Sequence, residues 1–455
     1  MESPIRLARF DFLRTPLYID NQNVDTIKEF TFNKKFSRTP ATTLFVREMR
    51  NYLEATKTMM AFRMHDTDFT RERYYTFPRL VTSILKDHGR PTQTRVIRFF
   101  QDGGFGKQEK CATASAFNQA RAKLDPAFFE SWADLAVHYY YANFPKEELV
   151  ATWRGHYLWG IDCSTVIMPD TTETRKTFSV INNSGAPSET IYGQISFSYD
   201  LLNDRPVSFC LDKRISEKDY LINTHFMHMS GSVIAIYDRL YADYEVIARH
   251  ALTDADFVIR CKTTTSFKIV DKFMQSKEND WVVWLPASWG NKPRMKKLGL
   301  PSRVKVRFVK ILLDSGEIEV IVTSLLDQNK YTISDLAWLY SKRWGVETSF
   351  MRFKRQLDVE CFSSRKVQNI KQDIAAGIFL LVFEAILNRA QDIDMAFQDP
   401  YKPRKREYRV NKSGAYAMIS DHLVCFFLGD KRRLLEFLDL YRYKITFYKG
   451  YLCKR

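Results

Sequence analysis

The sequence of 455 residues is poor in the residues that bend or staple a chain: 17 Gly, 15 Pro and 7 Cys. So little Gly and Pro excludes a collagen-like, linker-rich or low-complexity protein. The cysteines (Cys111, Cys163, Cys210, Cys261, Cys361, Cys425 and Cys453) are scattered and never spaced Cys-x-x-Cys. That spacing excludes a disulfide framework and a zinc knuckle, and it predicts reduced thiols. Long apolar runs are also missing. The longest, Gly377–Leu387, carries Glu384 and falls far short of the roughly 20 residues a membrane span needs, so it is read as a buried core helix. Met1-Glu-Ser-Pro-Ile-Arg6 has no basic stretch running into an apolar one, so no secretory leader is read. A soluble, cytoplasmic protein without a membrane partner is expected.

Acidic residues are short against basic ones, 53 against 69, which leaves a net charge of +16. An apolar fraction of 45% and a charged fraction of 27% are ordinary globular values, so the basic excess is the informative quantity. It implies a polyanionic partner, nucleic acid first. The excess is concentrated: residues 401–455 hold fourteen Lys/Arg against five Asp/Glu. That stretch predicts a salt-sensitive, phosphate-contacting C-terminal region.

The first 148 residues read as a helical N-terminal domain. Apolar residues recur at helical spacing in Phe77–Lys86, Thr113–Leu124 and from Pro126 to about Tyr141. Two helices around Gly103-Gly104 suggest a helix-turn-helix, with Ser115, Asn118, Gln119 and Arg121 facing a DNA groove. A plain helical bundle is the alternative. From residue 149 the period changes. Strands are predicted at Tyr157–Asp162, Ile191–Tyr199, Val207–Leu211, Ser232–Tyr237 and Phe257–Cys261, with helices at Glu217–Met229 and Tyr241–Ala251. This is the order of an α/β domain with a mixed sheet. Residues 263–325 turn β-rich, and helical periodicity returns over 326–400. The α/β domain is therefore predicted as 149–262 and 326–400, interrupted by a β-rich insertion.

Two acids end apolar strands, Asp162 after Leu-Trp-Gly-Ile and Asp238 after Ile-Ala-Ile-Tyr. Strand ends of α/β sheets are where ligands gather, although most such aspartates only start turns. A third acid, Glu347, lies in Leu339–Lys354. On a continuous helical wheel, Tyr340, Arg343, Glu347 and Lys354 fall within an arc of about 60°, beside an apolar stripe of Leu339, Val346, Phe350, Phe353 and Leu357. Gly345 is where such a helix would kink. An i,i+4 ion pair between Arg343 and Glu347 on a solvated face is the plain alternative. Three convergent carboxylates suit hard divalent cations, which prefer oxygen ligands and catalyse phosphoryl transfer in pairs. Arg343, Lys354 and Tyr340 would then hold backbone phosphates.

These residues resemble the DDE transposases of the insertion-sequence-four type, bacterial enzymes with a ribonuclease-H-like catalytic domain. The family's hallmark spacing reads here as Tyr340-x2-Arg343-x3-Glu347-x6-Lys354. Gly160-Ile-Asp162-Cys-Ser-Thr165 with Pro169-Asp-Thr171 resembles its first aspartate motif, and Ile236-Tyr-Asp238-Arg-Leu-Tyr241 its second. Cys163 and Leu240 stand where the family usually has glycine, the residue most tolerant of positive φ. The resemblance implies a triad of Asp162, Asp238 and Glu347 holding two Mg²⁺ or Mn²⁺ ions. Arg239, Tyr340, Arg343 and Lys354 would contact DNA. It further implies cut-and-paste transposition through a hairpin, acting on terminal inverted repeats and target DNA as a homodimer in a nucleoid-associated setting. A base flipped during hairpin formation would stack on Trp281, Trp284 or Trp289. A relative that binds ends without cutting is the rival expectation, and a ribonuclease-H-like nuclease of another kind a third.

Two further patterns carry no chemistry. His225-x-x-His228 lacks the glutamate of a zinc-protease helix, and Gly103-Gly-Phe-Gly106 lacks the lysine of a phosphate loop. Most of Asp170, Glu173, Asp200, Asp204, Asp212, Glu217 and Asp219 are expected to be turn or surface groups.

Overall fold

A computed structural model describes residues 39–429, except 72, 87–89, 104–110, 145–148, 183–188, 263–266, 314, 357–359 and 398–407, together with 448–449. Six helices come first: α1 (Thr39–Glu54), α2 (Thr56–Phe62), α3 (Phe77–Leu85), α4 (Thr92–Asp102), α5 (Ala114–Arg121) and α6 (Ala127–Asn143). Their buried face is rich in aromatics, including Phe45, Phe77, Phe99, Phe117, Phe128 and Trp132. Residues 103–113 separate α4 from α5, far more than the three or four of a helix-turn-helix turn, and most of that connection lies outside the described residues.

The sheet follows. Its strands are β1 (Tyr157–Ile167), β2 (Ser179–Asn182), β3 (Glu189–Asp200), β4 (Arg205–Lys213), β5 (Val233–Tyr237), β6 (Asp256–Cys261), β7 (Asp280–Pro286), β8 (Arg303–Leu312) and β9 (Ile318–Thr323). Between them lie α7 (Thr172–Thr177), α8 (Glu217–Tyr220), α9 (Tyr244–His250), α10 (Lys268–Gln275) and α11 (Lys292–Lys297). β4, β3 and β1 form an antiparallel meander, and β5 and β6 add in parallel beside β1. The order β4-β3-β1-β5-β6 is that of a ribonuclease-H-like mixed sheet, as expected. Residues 221–228 wind into one π turn and one 3₁₀ turn, where a continuous helix to Met229 was predicted.

The β-rich segment does not stand apart from this sheet. β9 pairs antiparallel with β6, β8 with β9 and β7 with β8, so one nine-stranded sheet runs from β2 to β7. The chain then enters α12 (Ile333–Ser341), α13 (Trp344–Gln356) and α14 (Val367–Phe397), followed by α15 (Lys412–Asp421) and α16 (Leu423–Leu428). A two-stranded pair, β10 (Tyr408–Arg409) with β11 (Tyr448–Lys449), accompanies these last helices. The run Gly377–Leu387 lies within α14 and is buried, as its composition predicted. Its Glu384 is only 1% exposed and pairs with Arg352 of α13 at 2.6 Å. Against α14 the N-terminal helices close the core, with Trp132 stacked on Phe379 at 3.8 Å. Among the described residues no helix is long and apolar enough to cross a membrane. Most of the basic 401–455 stretch lies outside the described residues, but Lys412 within it forms an ion pair with Asp204 of the β3–β4 turn.

Candidate active site

The two aspartates reach one place through strand register. β1 and β5 run parallel, and their last paired couple is Gly160 with Ile236. Asp162 and Asp238 each lie two residues further on, at the same level and past the point where the strands part. Side chains two apart share a face, so both carboxylates emerge together at the edge of the sheet. Asp162 Oδ1 accepts its neighbour Cys163's backbone N–H at 2.8 Å. Asp238 Oδ1 accepts the N–H of Leu240 at 2.6 Å and so caps the 3₁₀ turn Arg239–Tyr241. The plain reading of a strand-end aspartate as a turn cap is thus satisfied at Asp238 by one oxygen only.

The third acid arrives on α13. The segment drawn on one wheel from Tyr340 to Lys354, with a kink possible at Gly345, is two helices. Lys342 and Arg343 form the break, with Arg343 N–H bonded to the Tyr340 carbonyl and Val346 N–H to that of Arg343. A single wheel therefore does not describe the four polar residues. The entry to α13 lies tightly on the β3–β4 turn: a Cβ on Gly345 would come within 2.8 Å of Leu201 Cδ2. An added Cβ would have to displace the end of the Leu201 side chain. Phe350 then stacks on Phe197 of β3 at 4.4 Å, locking the helix over the sheet.

This docking sets Arg343 between two acids. Its guanidinium lies 2.7 Å from Glu347 and 3.8 Å from Asp162. The i,i+4 pair with Glu347 exists, but it is not a solvated ornament, because Arg343 is only 9% exposed and reaches across to β1. Lys354 turns inward and donates to the Thr165 carbonyl of β1, tying α13 to the first aspartate's strand. Tyr340 is buried, its ring beneath the Arg343 guanidinium at 5.9 Å and its hydroxyl interacting with Arg260 of β6. Arg239 is exposed beside Asp238.

The acids lie near enough to act on one another electrostatically. Burial pushes Asp162 up to about 6; the Cys163 N–H and Arg343 oppose this, and the negative charges of Asp238 and Glu347 add to it. One acid from a group expected to lie mostly at turns or on the surface comes near these acids. Glu217 opens α8, which packs on the turn after Asp238. Burial, with the charges of Asp162 and Asp238, pushes Glu217 up to about 7, opposed by the Tyr241 hydroxyl. No motif or period marks Glu217; only the tertiary approach of α8 does. Cys163, by contrast, is pushed up to about 12 by burial, so it stays a thiol and offers no thiolate ligand.

Neither glycine replacement strains the backbone. Among the described residues the non-glycine positive φ values belong to Phe69, Arg154 and Asp204, so Cys163 and Leu240 are not in the left-handed region. Three hard oxygen-donor acids at one edge suit a divalent cation in chemistry. As they stand, no three His, Cys, Asp or Glu side chains among the described residues converge closely enough to hold a metal ion. Glu347 must leave Arg343 before it can join Asp162 and Asp238.

Of the groove-facing residues predicted on α5, Ser115, Asn118 and Gln119 are exposed. Arg121 is not: it is fully buried and bonded to Gln372, Asp373 and the Asn369 carbonyl of α14. It joins the N-terminal helices to the rest of the protein and cannot face DNA. Of the three tryptophans, Trp281 packs on Phe273 at 5.0 Å. Trp284 is 54% exposed beneath the Arg303 guanidinium, and Trp289 is 89% exposed.

The sheet order and the acids at its edge define a ribonuclease-H-like α/β protein with a carboxylate site. Residues 198–383 match the family model of the transposase DDE domain. The match takes in Glu217, Asp238 and Glu347 and begins after Asp162. No curated protein matches the sequence. Among solved structures, a piggyBac transposase in a synaptic complex with hairpin DNA is similar at 11% identity and a TM-score of 0.42, over 89% of this chain and 85% of that one. A likeness so distant carries no argument about this chain.

Proposed function

We propose that the protein is a DNA transposase of the insertion-sequence-four type that excises its element with Asp162, Asp238 and Glu347. The observation that carries the reading is Arg343, which spans Asp162 on β1 and Glu347 on α13 and so gathers acids that lie far apart in sequence. In donor type the residues suit a divalent metal, with oxygen donors only and one Asp238 oxygen outside its turn cap, and Glu347 would have to leave Arg343 to join them. When bound, two Mg²⁺ or Mn²⁺ ions would activate the attacking oxygen and stabilise the leaving one.

The protein's own part is placement. In the first step a water oxygen bonds to phosphorus at the element end, and the bond to the 3′ oxygen breaks to release a 3′-OH. That hydroxyl then attacks a phosphodiester of the opposite strand, forming a hairpin and freeing the flanking DNA. Hydrolysis reopens the hairpin before the 3′-OH attacks target DNA. Arg239 and Arg343 would neutralise backbone phosphates once DNA is seated. Tyr340 and Lys354, turned inward, support α13 rather than meet DNA directly. Trp284 and Trp289 have the exposure a base-stacking platform requires, and Trp281 packs inside. The helical domain 1–148 and the basic 401–455 region would hold the ends, with two protomers pairing them.

A labelled element end incubated with the protein and Mg²⁺ should be nicked and then migrate as a hairpin. Asp162→Asn, Asp238→Asn and Glu347→Gln should each reduce cleavage to background while still binding the end. Cleavage at the wild-type rate in any of them removes that residue from the triad. End binding without cutting by the wild-type protein would favour a co-opted DNA-binding relative.

A further inference from the structure

We infer that the far end of the β7–β8 pair, with α11 beside it, is a second DNA-binding surface, set away from the carboxylates and holding the phosphate backbone of duplex DNA. The partner rests on the transposase reading above; the place and the residues are new. Charge is the first observation. Residues 281–313 contain no Asp or Glu and eight Lys/Arg. Three of the eight have partners within the protein: Arg294 pairs with Glu245 at 2.8 Å, Arg307 with Asp280 at 2.6 Å, and Lys310 donates to the Ser276 carbonyl at 2.8 Å. The other five, Lys292, Lys296, Lys297, Arg303 and Lys305, are exposed.

Strand register gathers the aromatic and the cations. Trp284 pairs with Lys305 and Pro286 with Arg303, and residues opposite one another or two apart share a face. On that face Arg307 is covered, its guanidinium bonded to the Tyr331 carbonyl at 2.6 Å where the chain turns into α12. Past Arg307 the face is bare: Lys305, Trp284, Arg303 and Pro286 are all exposed. Trp284 is 54% exposed, with the Arg303 guanidinium 4.8 Å from its ring centroid. A guanidinium held against an aromatic ring keeps N–H groups for a phosphate and loses less freedom on binding it. Buried Met295 anchors α11, and its lysines stay outside, next to the 89% exposed Trp289. Lysines on an edge strand also deter pairing with other chains. That role would explain Lys305, but neither the two exposed tryptophans nor the cations of α11.

The same register sets the distance to the acids. Arg307 pairs with Thr323, Thr323 with Val258, Val258 with Ile236 and Ile236 with Gly160, so these five form one row across the sheet. Asp162 lies two residues to one side of that row, and Lys305 two residues to the other. Four residues along the strands and four or five strand spacings across them make roughly 25 Å, or about seven base pairs of duplex. At that distance the surface meets DNA that continues past the active site, not the phosphate being cut.

Hydroxyl-radical footprinting and a salt-titrated binding assay test this with the full chain. The probe is a labelled duplex carrying the element end and its flanking DNA, held without Mg²⁺ so that it stays intact. Wild type should protect the cut and a second stretch about seven base pairs from it. In Lys296→Ser/Lys297→Ser/Lys305→Ser the second stretch should lose protection while the cut keeps it. Binding should weaken about 10-fold or more, with a log–log salt slope shallower by up to about 2.7, since each lysine gives up one phosphate. The corresponding triple replacement by arginine should restore both. All three lysines are exposed, so the melting temperature should stay at that of wild type. If it falls, Lys297→Ser alone decides, with a slope shallower by about 0.9 expected. An unchanged footprint and slope overturn the inference and leave the transposase reading standing. Protection lost at the cut instead overturns the remote placement. Wild-type protein that protects no part of the duplex overturns the reading and the inference together.

Discussion

Replacing Arg121 with alanine tests whether α5 presents it to DNA or buries it. Arg121 is fully buried. Its guanidinium donates to Asp373 at 2.9 Å, to Gln372 at 2.8 Å, to the Asn369 carbonyl at 2.6 Å and to the Ser363 hydroxyl. Asp373 keeps the Ser363 N–H and hydroxyl, at 3.2 and 2.7 Å, so the alanine variant strands its charge without leaving it wholly bare. Breaking a buried pair from one side costs about 3–5 kcal/mol, and the remaining donors put this case at the low end, about 3 kcal/mol. Arg121→Lys should lose less, since an ammonium retains the charge but cannot reach all four partners. Asp373→Asn in the Arg121→Ala background should recover part of the loss, because the stranded charge disappears. Urea denaturation followed by tryptophan fluorescence measures this directly, as Trp132 lies in the affected core. Asn118→Ala and Gln119→Ala, both exposed on the same helix, serve as controls: they should unfold like wild type and weaken end binding in a salt-titrated assay. A wild-type urea midpoint for Arg121→Ala, with end binding lost, would refute the burial argument and return Arg121 to the DNA face.

Other perturbations follow from the same geometry. Arg343→Lys should leave the fold intact but reduce cleavage about 10- to 100-fold, because a lysine cannot span Asp162 and Glu347 together; a wild-type rate in a labelled-end assay would remove Arg343 from the site. Gly345→Ala sets a Cβ 2.8 Å from Leu201 Cδ2 and should destabilise by about 1–3 kcal/mol, with part of it recovered in a double variant with Leu201→Ala. Additive denaturation midpoints in that pair would mean the two do not meet. His225 and His250 are buried, and burial holds them down to about 3 and about 4. Their unfolded value is about 6.5, so the unfolded chain takes up protons first and stability falls as the pH drops below about 6.5. By pH 5 each should have removed up to about 2 kcal/mol, and His225→Gln should flatten the decline. A denaturation midpoint as pH-sensitive in that variant as in wild type would contradict this.

What the sequence disclosed and what it hid divide along one physical line. Asp162 and Asp238 were legible because an apolar run of period two ends at an acid, and that pattern is local. The spacing from Tyr340 to Lys354 was legible for the same reason, although the wheel drawn through it was not. Leu201, more than 140 residues away, presses on Gly345 and accompanies the break that separates Tyr340 from Glu347. No period within the segment encodes that contact. Arg121 failed in the same way. On α5 alone it continues the polar row of Asn118 and Gln119, and α14, arriving some 250 residues later, covers it. Glu217 is the converse case. It counts among the acids expected mostly at turns or on the surface, and only the approach of α8 to the cap of Asp238 brings it near the strand-end acids. Local sequence therefore gives the strands and the acids that end them. The packing of α13 and α14 decides which polar residues stay exposed, and that is why Arg121 and the motif residues Tyr340 and Lys354 turn inward.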